Sequence, residues 1–458
     1  MVEPSAGCDR TILAVICEAY DVEDLTKEGG KKDERTVMRF KPCVAPIKVA
    51  ILPLLKNKPE LVDKAKEVKA LLQPHMNIFY DENMPFAKEF FSGFAGLGEL
   101  TSFSGRDLTA EQVKNADVLL VRSITKVNQS LLNQNTRLKF VGTATIGFDH
   151  IDQDYLKSRN VEFTSAPGCN AISVAEYVIS SLVVLAERYQ LKLLDITVGI
   201  VGAGNTGSRL SEKLTALGIK HVLSDPYLEK EPSDHREFVE LEEALKCDVI
   251  SLHVPKTTEG EHPTYHLLNE QRLAKLSQTQ ILINACRGEV VDNHALLKLK
   301  KSGHALKVVL DVWENEPNIL HELIPYCEIT TAHIAGYSLE GKARGTEMLY
   351  RALCQHLDIP VEKSLENFLP ESGINQIEIN QQFDEILLNQ LVKIVYDVRR
   401  DDGLFRQQIG YQHINRHAFD HIRKTYPARR EFSSIQITMT KQVECDVLHQ
   451  LGFSKSSK

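Results

Sequence analysis

Three segments of the chain set an arginine, a carboxylate and a histidine in order: Asn284-Ala285-Cys286-Arg287-Gly288, Asp311-Val312-Trp313-Glu314-Asn315-Glu316-Pro317 and His333-Ile334-Ala335-Gly336-Tyr337. They follow a glycine-rich turn, Gly202-Ala203-Gly204-Asn205-Thr206-Gly207. Arginine presents a planar fork that grips a carboxylate through two parallel hydrogen bonds. Histidine exchanges a proton near neutral pH, and a neighbouring carboxylate orients its ring and favours its cation. Hydride transfer from a 2-hydroxy acid needs those groups: a carboxylate clamp, a base for the hydroxyl proton and a partner for that base. Each has a plainer reading alone. Arg287 suits a surface ion pair, Glu316 a loop charge and His333 a structural position after a strand. Their order behind a nucleotide-type turn favours chemistry.

The turn itself sits between a strand pattern, Thr197–Val201, and a helix predicted over Thr206–Leu217 that stops at Gly218. The first glycine allows the tight turn, the second lets backbone approach a pyrophosphate, and the third lets helix and strand pack closely. Gly202, Gly204, Asn205, Thr206 and Gly207 are therefore candidate cofactor contacts. Asp225 ends the next predicted strand, 23 residues after Gly202, where a carboxylate bonds a ribose 2′-hydroxyl and repels a 2′-phosphate. NAD is expected over NADP. The plainer reading of Asp225 is a capping residue before Pro226.

The elements that must carry these residues read as alternating short apolar strands and helices. Strands are expected at Asn77–Tyr80, Asp117–Val121, Leu138–Val141 and Val161–Thr164, followed by a long helix, Ser173–Glu187. A second series follows at Thr197–Val201, Lys220–Ser224, Asp248–His253, Gln280–Asn284, Lys307–Leu310 and Glu328–Ala332, then a helix over Ser338–His356. Such alternation predicts an α/β fold with two parallel-sheet domains, Rossmann-like and flavodoxin-like. Residues 363–458 mix helices (Asp384–Val398, Phe419–Tyr426) with a strand, Ser433–Met439, as a third, α+β domain. The expected division is 1–75; 76–171 with 334–362 as a substrate-binding lid; 172–333 as the NAD-binding domain; and 363–458.

At 458 residues the chain is too long for one ordinary domain. Apolar residues make up 43%, enough for real cores, which excludes bulk disorder. A net charge of −8 argues against a dedicated nucleic-acid binder. The nine cysteines stand singly, with no C-x-x-C pair, so neither a metal site nor a disulfide framework is expected. Near the N-terminus the longest apolar run, Thr11–Cys17, is hemmed by Asp9, Arg10 and Glu18, unlike a secretory signal or a membrane span. A cytoplasmic protein is expected.

The order of glycine-rich turn, arginine, Glu-Pro and histidine resembles the D-2-hydroxyacid dehydrogenase family. Within it, residues from Met76 onward resemble the branch acting on a phosphorylated four-carbon acid. The resemblance rests on Tyr80-Asp81-Glu82-Asn83-Met84-Pro85, Val121–Asn128, Phe140–Thr145, Ala166–Ala171, Leu339–Gly345 and Tyr396–Asp402. It implies Arg287, Glu316 and His333 as catalytic residues, with His333 the acid/base. It implies Ser123, Thr145 and Tyr337 as substrate contacts, and Asp225, Ala285, Cys286, Arg287, Asp311 and Gly336 as NAD contacts. It further implies oxidation of 4-phospho-D-erythronate to 2-oxo-3-hydroxy-4-phosphobutanoate in vitamin B6 synthesis, by a homodimer joined through the C-terminal domain. Val254 departs from the branch, which usually has a threonine there; the lost hydroxyl removes a cofactor hydrogen bond of roughly 0.5–1.5 kcal/mol. A substrate phosphate calls for further cations. Arg122 and Lys126 are candidates, with Arg399, Arg400, Arg429 and Arg430 as candidates from a partner subunit. The rival readings are a dehydrogenase of another acid, such as 3-phosphoglycerate, an NAD-sensing interaction protein on the same fold, and an RNA-binding appendage over 1–75, disfavoured because its lysines alternate with acids and lack aromatics for stacking.

Residues 1–73 carry a different resemblance. Val2–Arg10 is similar to the third class II signature of glycyl-tRNA synthetases, and Pro42–Val49 to the entry of their anticodon-binding domain. The other signatures are missing, so a fused fragment without activity is expected, with Met76 as the start of the enzyme proper.

Overall fold

The structure, a computed structural model, describes residues 76–94, 97–409, 416–439 and 446–455, with 58–60 and the backbone of 20–24 and 34–38. It divides into two units, Met1–His75 and Met76–Lys458. In the first, β1 (Tyr20–Asp24) pairs antiparallel with β2 (Glu34–Met38). The synthetase-like segments 2–10 and 42–49, the expected strand at Lys48–Leu55 and the expected helix beyond Glu60 lie outside the described residues.

The second unit opens with a five-stranded parallel sheet made from β3 (Met76–Asp81), β4 (Leu97–Phe103), β5 (Val118–Val121), β6 (Phe140–Thr143) and β7 (Glu162–Thr164). Their order is β4-β3-β5-β6-β7. The chain steps from β3 to one side and then to the other, which opens a crevice at the carboxyl ends of β3 and β5. Strands β5 and β6 are buried at every position, as strands covered on both faces must be. The strand β4 was not expected from sequence. It lies at the sheet edge, and only Phe103 among its seven residues is buried, so its apolar pattern is diluted.

The six-stranded sheet is also parallel, in the order β13-β12-β11-β10-β8-β9. Its members are β8 (Thr197–Val201), β9 (Lys220–Ser224), β10 (Val249–Leu252), β11 (Ile281–Asn284), β12 (Lys307–Leu310) and β13 (Ile329–Thr330). Here too the chain reverses direction, between β8 and β10. A three-stranded parallel sheet follows from β14 (Gln376–Ile379), β15 (Gln436–Met439) and β16 (Ser454–Lys455).

Seven described helices reach nine residues: α1 (Ala171–Tyr189), α2 (Asn205–Ala216), α3 (Asn293–Lys301), α4 (Leu339–His356), α5 (Glu385–Val395), α6 (Val398–Ile409) and α7 (Arg416–Lys424). None of the described helices is long and apolar enough to cross a membrane. Helix α1 is buried almost throughout, and its polar side chains find partners inside: Ser173 Oγ donates to Ala335 O at 2.9 Å, and Tyr177 bonds Thr331 at 2.8 Å. Ser180 Oγ donates to Tyr396 O and accepts the Val398 N–H. That serine bridges a break in the helix expected over Asp384–Val398: Tyr396 is extended, and α6 starts afresh at Val398. Helix α4 returns to the first sheet, where Ala343, Leu349, Tyr350 and Leu353 join Ile78, Phe90, Phe91 and Phe140 in one core.

Candidate active site

Both large sheets turn the carboxyl ends of their strands toward one cavity of about 590 Å³, within the range of small-molecule sites. Arg122 and Ser123 enter it after β5, Thr145 and His150 after β6, and Gly204, Asn205 and Thr206 after β8. Val254 follows β10, Ala285, Cys286 and Arg287 follow β11, Asp311 and Glu316 follow β12, and His333, Gly336 and Tyr337 follow β13. The fold thus gathers Arg287, Glu316 and His333, which the sequence separates by up to 46 positions, in one lining.

His333 Nδ1 lies 2.7 Å from Glu316 Oε2, while Glu316 Oε1 accepts the Trp313 N–H at 2.9 Å. Burial pushes the Glu316 carboxyl up, but the His333 charge and hydrogen bond, with Arg423, outweigh it and hold the carboxyl below its ordinary value. An ionised acceptor at Nδ1 leaves that nitrogen carrying the proton, and Nε2 is the free basic atom. His333 sits at φ 56°, a backbone region that side chains with a Cβ adopt rarely. Arg287 donates to Cys286 O at 2.7 Å and keeps Asp149 3.9 Å from its other nitrogen. Burial pushes the Cys286 thiol up to about 11, so it stays neutral.

The glycine-rich turn fits a dinucleotide. Gly202 has φ 91°, and a Cβ there would lie 2.7 Å from the His253 backbone. A Cβ at Gly207 would lie 2.0 Å from Gly202 O, whereas one at Gly204 meets nothing within 4 Å, which leaves open space at the N-terminus of α2. Asp225 Oδ2 accepts the Ala203 N–H at 3.0 Å, so the carboxylate is fixed beside the turn. Gly202, Gly207 and Asp225 stand behind the lining rather than in it. Asp311 lines the cavity, yet its carboxylate accepts Thr331 Oγ1 (2.6 Å), Ile334 N (2.7 Å) and Ala335 N (2.9 Å).

Among the expected substrate contacts, Ser123 is exposed at the mouth, and Thr145 donates to Gly147 O at 2.8 Å. Of the candidate phosphate ligands, Arg122 and Lys126 line the cavity. Within this chain the other four are committed elsewhere. Arg399 bonds Asp397 at 2.6 Å and Arg400 bonds Asp401 at 3.2 Å. Arg429 is buried over the Tyr396 ring and donates to Ser173 O and Ala335 O, and Arg430 bonds Glu340 at 2.6 Å. Arg429 and Arg430 thereby tie the C-terminal segment to α1 and α4.

Sequence reasoning missed Asn170, His150, Lys342 and Arg423, all in the lining. Asn170 Oδ1 is buried without a partner. Burial lowers His150 to about 4, so its ring is neutral where it bonds Thr143. Arg423 comes from α7, and no local pattern marks it. Away from the cavity, the fold also assembles His266, Asp292 and Glu314 within 4.8 Å, with His266 Nε2 bonded to Glu314 at 2.6 Å.

Residues 183–335 match the family model described as D-isomer specific 2-hydroxyacid dehydrogenase, NAD binding domain, and residues 368–452 match a domain of unknown function (DUF3410). The erythronate-4-phosphate dehydrogenase of Colwellia psychrerythraea is 62% identical over 398 residues, covering 83% of this chain and 100% of its own. That of Tolumonas auensis is 53% identical over 381 residues, again covering 83% of this chain and 100% of its own. A solved D-lactate dehydrogenase from Aquifex aeolicus, complexed with NAD and lactic acid, is 28% identical, with a TM-score of 0.51 over 62% of this chain and 96% of its own. None of these matches carries the resemblance of residues 1–73 to a synthetase. With the NAD-binding domain, the parallel sheets and relatives matched over their whole length, the chain belongs to the erythronate-4-phosphate dehydrogenase family of D-isomer specific 2-hydroxyacid dehydrogenases.

Proposed function

We propose that the chain oxidises 4-phospho-D-erythronate to 2-oxo-3-hydroxy-4-phosphobutanoate with NAD, a step of pyridoxal 5′-phosphate biosynthesis. The observation that carries the reading is the His333–Glu316 pair lining one cavity with Arg287, in a chain 62% identical to an erythronate-4-phosphate dehydrogenase. Arg287 holds the substrate carboxylate and polarises the oxygen at C2. His333 Nε2 takes the proton of the C2 hydroxyl, and ionised Glu316 stabilises the imidazolium. Bound NAD would supply the hydride acceptor for C2. Gly204, Asn205 and Thr206 would hold its pyrophosphate, with Asp225 behind the turn toward its ribose, and Ala285, Cys286, Arg287, Asp311 and Gly336 would complete its site; Ser123, Thr145 and Tyr337 would contact the substrate.

In this reading 76–171 with 334–362 form the lid, 172–333 the NAD-binding domain and 363–458 a dimerisation domain. Helix α5 leaves Ile386 67% and Ile394 47% exposed, apolar surface of the kind a second copy covers. Replacing both with Asp should shift a dimer to monomer in sedimentation; a dimer that survives places the interface elsewhere. The described cysteines are free, as suits a cytoplasmic enzyme. Residues 1–73 we read as a synthetase-like fragment without activity.

The test is NADH formation by the full chain and by residues 76–458, with 4-phospho-D-erythronate against 3-phosphoglycerate. Strong preference for the first substrate in both supports the reading. NAD binding without turnover of either points to a sensor instead.

A further inference from the structure

Three cations from three separate parts of the chain surround one aromatic ring. The Arg122 guanidinium, just after β5, lies 5.7 Å from the centre of the Tyr337 ring. Lys342 Nζ, from the first turn of α4, lies at 5.3 Å, and the Arg423 guanidinium, from α7, at 5.5 Å. Arg423 Nε also donates to the Tyr337 hydroxyl at 3.1 Å. All four side chains are half-buried in the lining that holds Arg287 and His333.

Cations gathered this way repel one another, and protein sites normally place carboxylates between them. Among the described residues no carboxylate lies within salt-bridge distance of Arg122, Lys342 or Arg423, and Glu316 and Asp420 act on Arg423 only from further off. Burial, and after it the Arg122 and Arg429 charges, push the Lys342 ammonium down to about 8. The cluster is nonetheless built rather than loose. Asp81 holds Asn83 by two hydrogen bonds, and the Asn83 carbonyl accepts from Arg122 at 3.3 Å. Behind the ring, Tyr426 packs edge-on to Tyr337 at 5.9 Å. Such a cluster lacks a multiply charged anion, and Arg287 already answers a carboxylate.

We propose that Arg122, Lys342 and Arg423, held around Tyr337, bind the phosphate of the substrate. The proposal rests on the reading of the substrate as a phosphorylated hydroxy acid. A phosphate group carries about −1.5 to −2 charges and three acceptor oxygens, which matches three converging cations. The selectivity filter is then shared between two parts of the chain: the lid gives Arg122 and, through α4, Lys342, and the C-terminal part gives Arg423 from α7.

The experiment compares 4-phospho-D-erythronate with D-erythronate as substrates of the full-length enzyme, with inorganic phosphate as competing inhibitor. Arg122→Gln and Lys342→Met sit on different elements; Arg423→Lys keeps the charge while losing the fork. Each should lower the kcat/KM ratio of phosphorylated over plain substrate by about 10–100-fold and raise the inhibition constant of phosphate similarly, with NAD affinity as in the parent. Variants that bind NAD normally yet keep both the preference and the phosphate inhibition overturn the proposal. If the parent turns over neither substrate, the function reading fails separately. Direct calorimetry with inorganic phosphate then decides the site: weaker binding in Arg122→Gln and Lys342→Met supports it, and equal or absent binding in parent and variants overturns it.

Discussion

Asp311 and His333 are joined through both backbone and side chain. The His333 N–H donates to the Asp311 carbonyl at 2.7 Å, and the Asp311 carboxylate accepts the next two N–H groups, of Ile334 and Ala335. With the Thr331 hydroxyl as its third donor, this buried carboxylate is a positioning device. Here it holds the catalytic candidate at its positive φ. Asp311→Asn should therefore leave one of those donors unpaired, lowering stability by about 1–3 kcal/mol in urea unfolding. It should also reduce kcat more than NAD affinity, and equal losses in both would assign Asp311 to the cofactor instead.

His333→Ala should lower kcat by about 10²–10⁴, the usual range for a lost acid/base. NAD binding, followed by fluorescence, should stay near the parent value, because the turn at Gly202–Gly207 lies on other strands. Surviving turnover would mean that another group takes the proton.

At the ribose end, Asp225→Ser should raise the use of NADP relative to NAD by roughly tenfold, about 1.4 kcal/mol of relieved repulsion. A serine hydroxyl can still accept the Ala203 N–H, so the turn should keep its shape. Steady-state kinetics with both cofactors reads this directly; an unaltered preference removes Asp225 from the cofactor site.

The buried pair Glu176–Lys213, 3.2 Å apart, ties α1 to α2 beneath the C-terminal segment, where Glu176 also accepts the Phe432 N–H. Burial pushes the Glu176 carboxyl up, and Lys213 opposes that. Lys213→Met leaves the carboxylate unpaired and should cost about 3–5 kcal/mol near pH 8. With its folded pKa raised, Glu176 holds a proton that the unfolded chain has released, so stability should recover as the pH falls toward about 6. A loss independent of pH would show that packing around the lysine stem, rather than charge, carries the effect.

The sequence by itself determined what depends on near neighbours. Strand and helix periodicity placed β8 to within the residue, and the turn Gly202–Gly207 had to be glycine where a Cβ meets backbone. The order of Arg287, Glu316 and His333 was legible because each follows its own parallel strand, and parallel strands deliver their carboxyl ends to one side. Edge strand β4 escaped because an exposed edge needs no apolar alternation. Tertiary structure alone decided which charges meet. Arg423 reaches the Tyr337 hydroxyl across 86 positions, and Arg429, a few residues further, turns instead into the interior onto Ser173 and Ala335. Both are arginines in one basic stretch, and nothing local distinguishes them. Their opposite fates follow from the way the C-terminal segment packs over α1 and α4, where burial turns Arg429 onto acceptors and Arg423 toward the cavity.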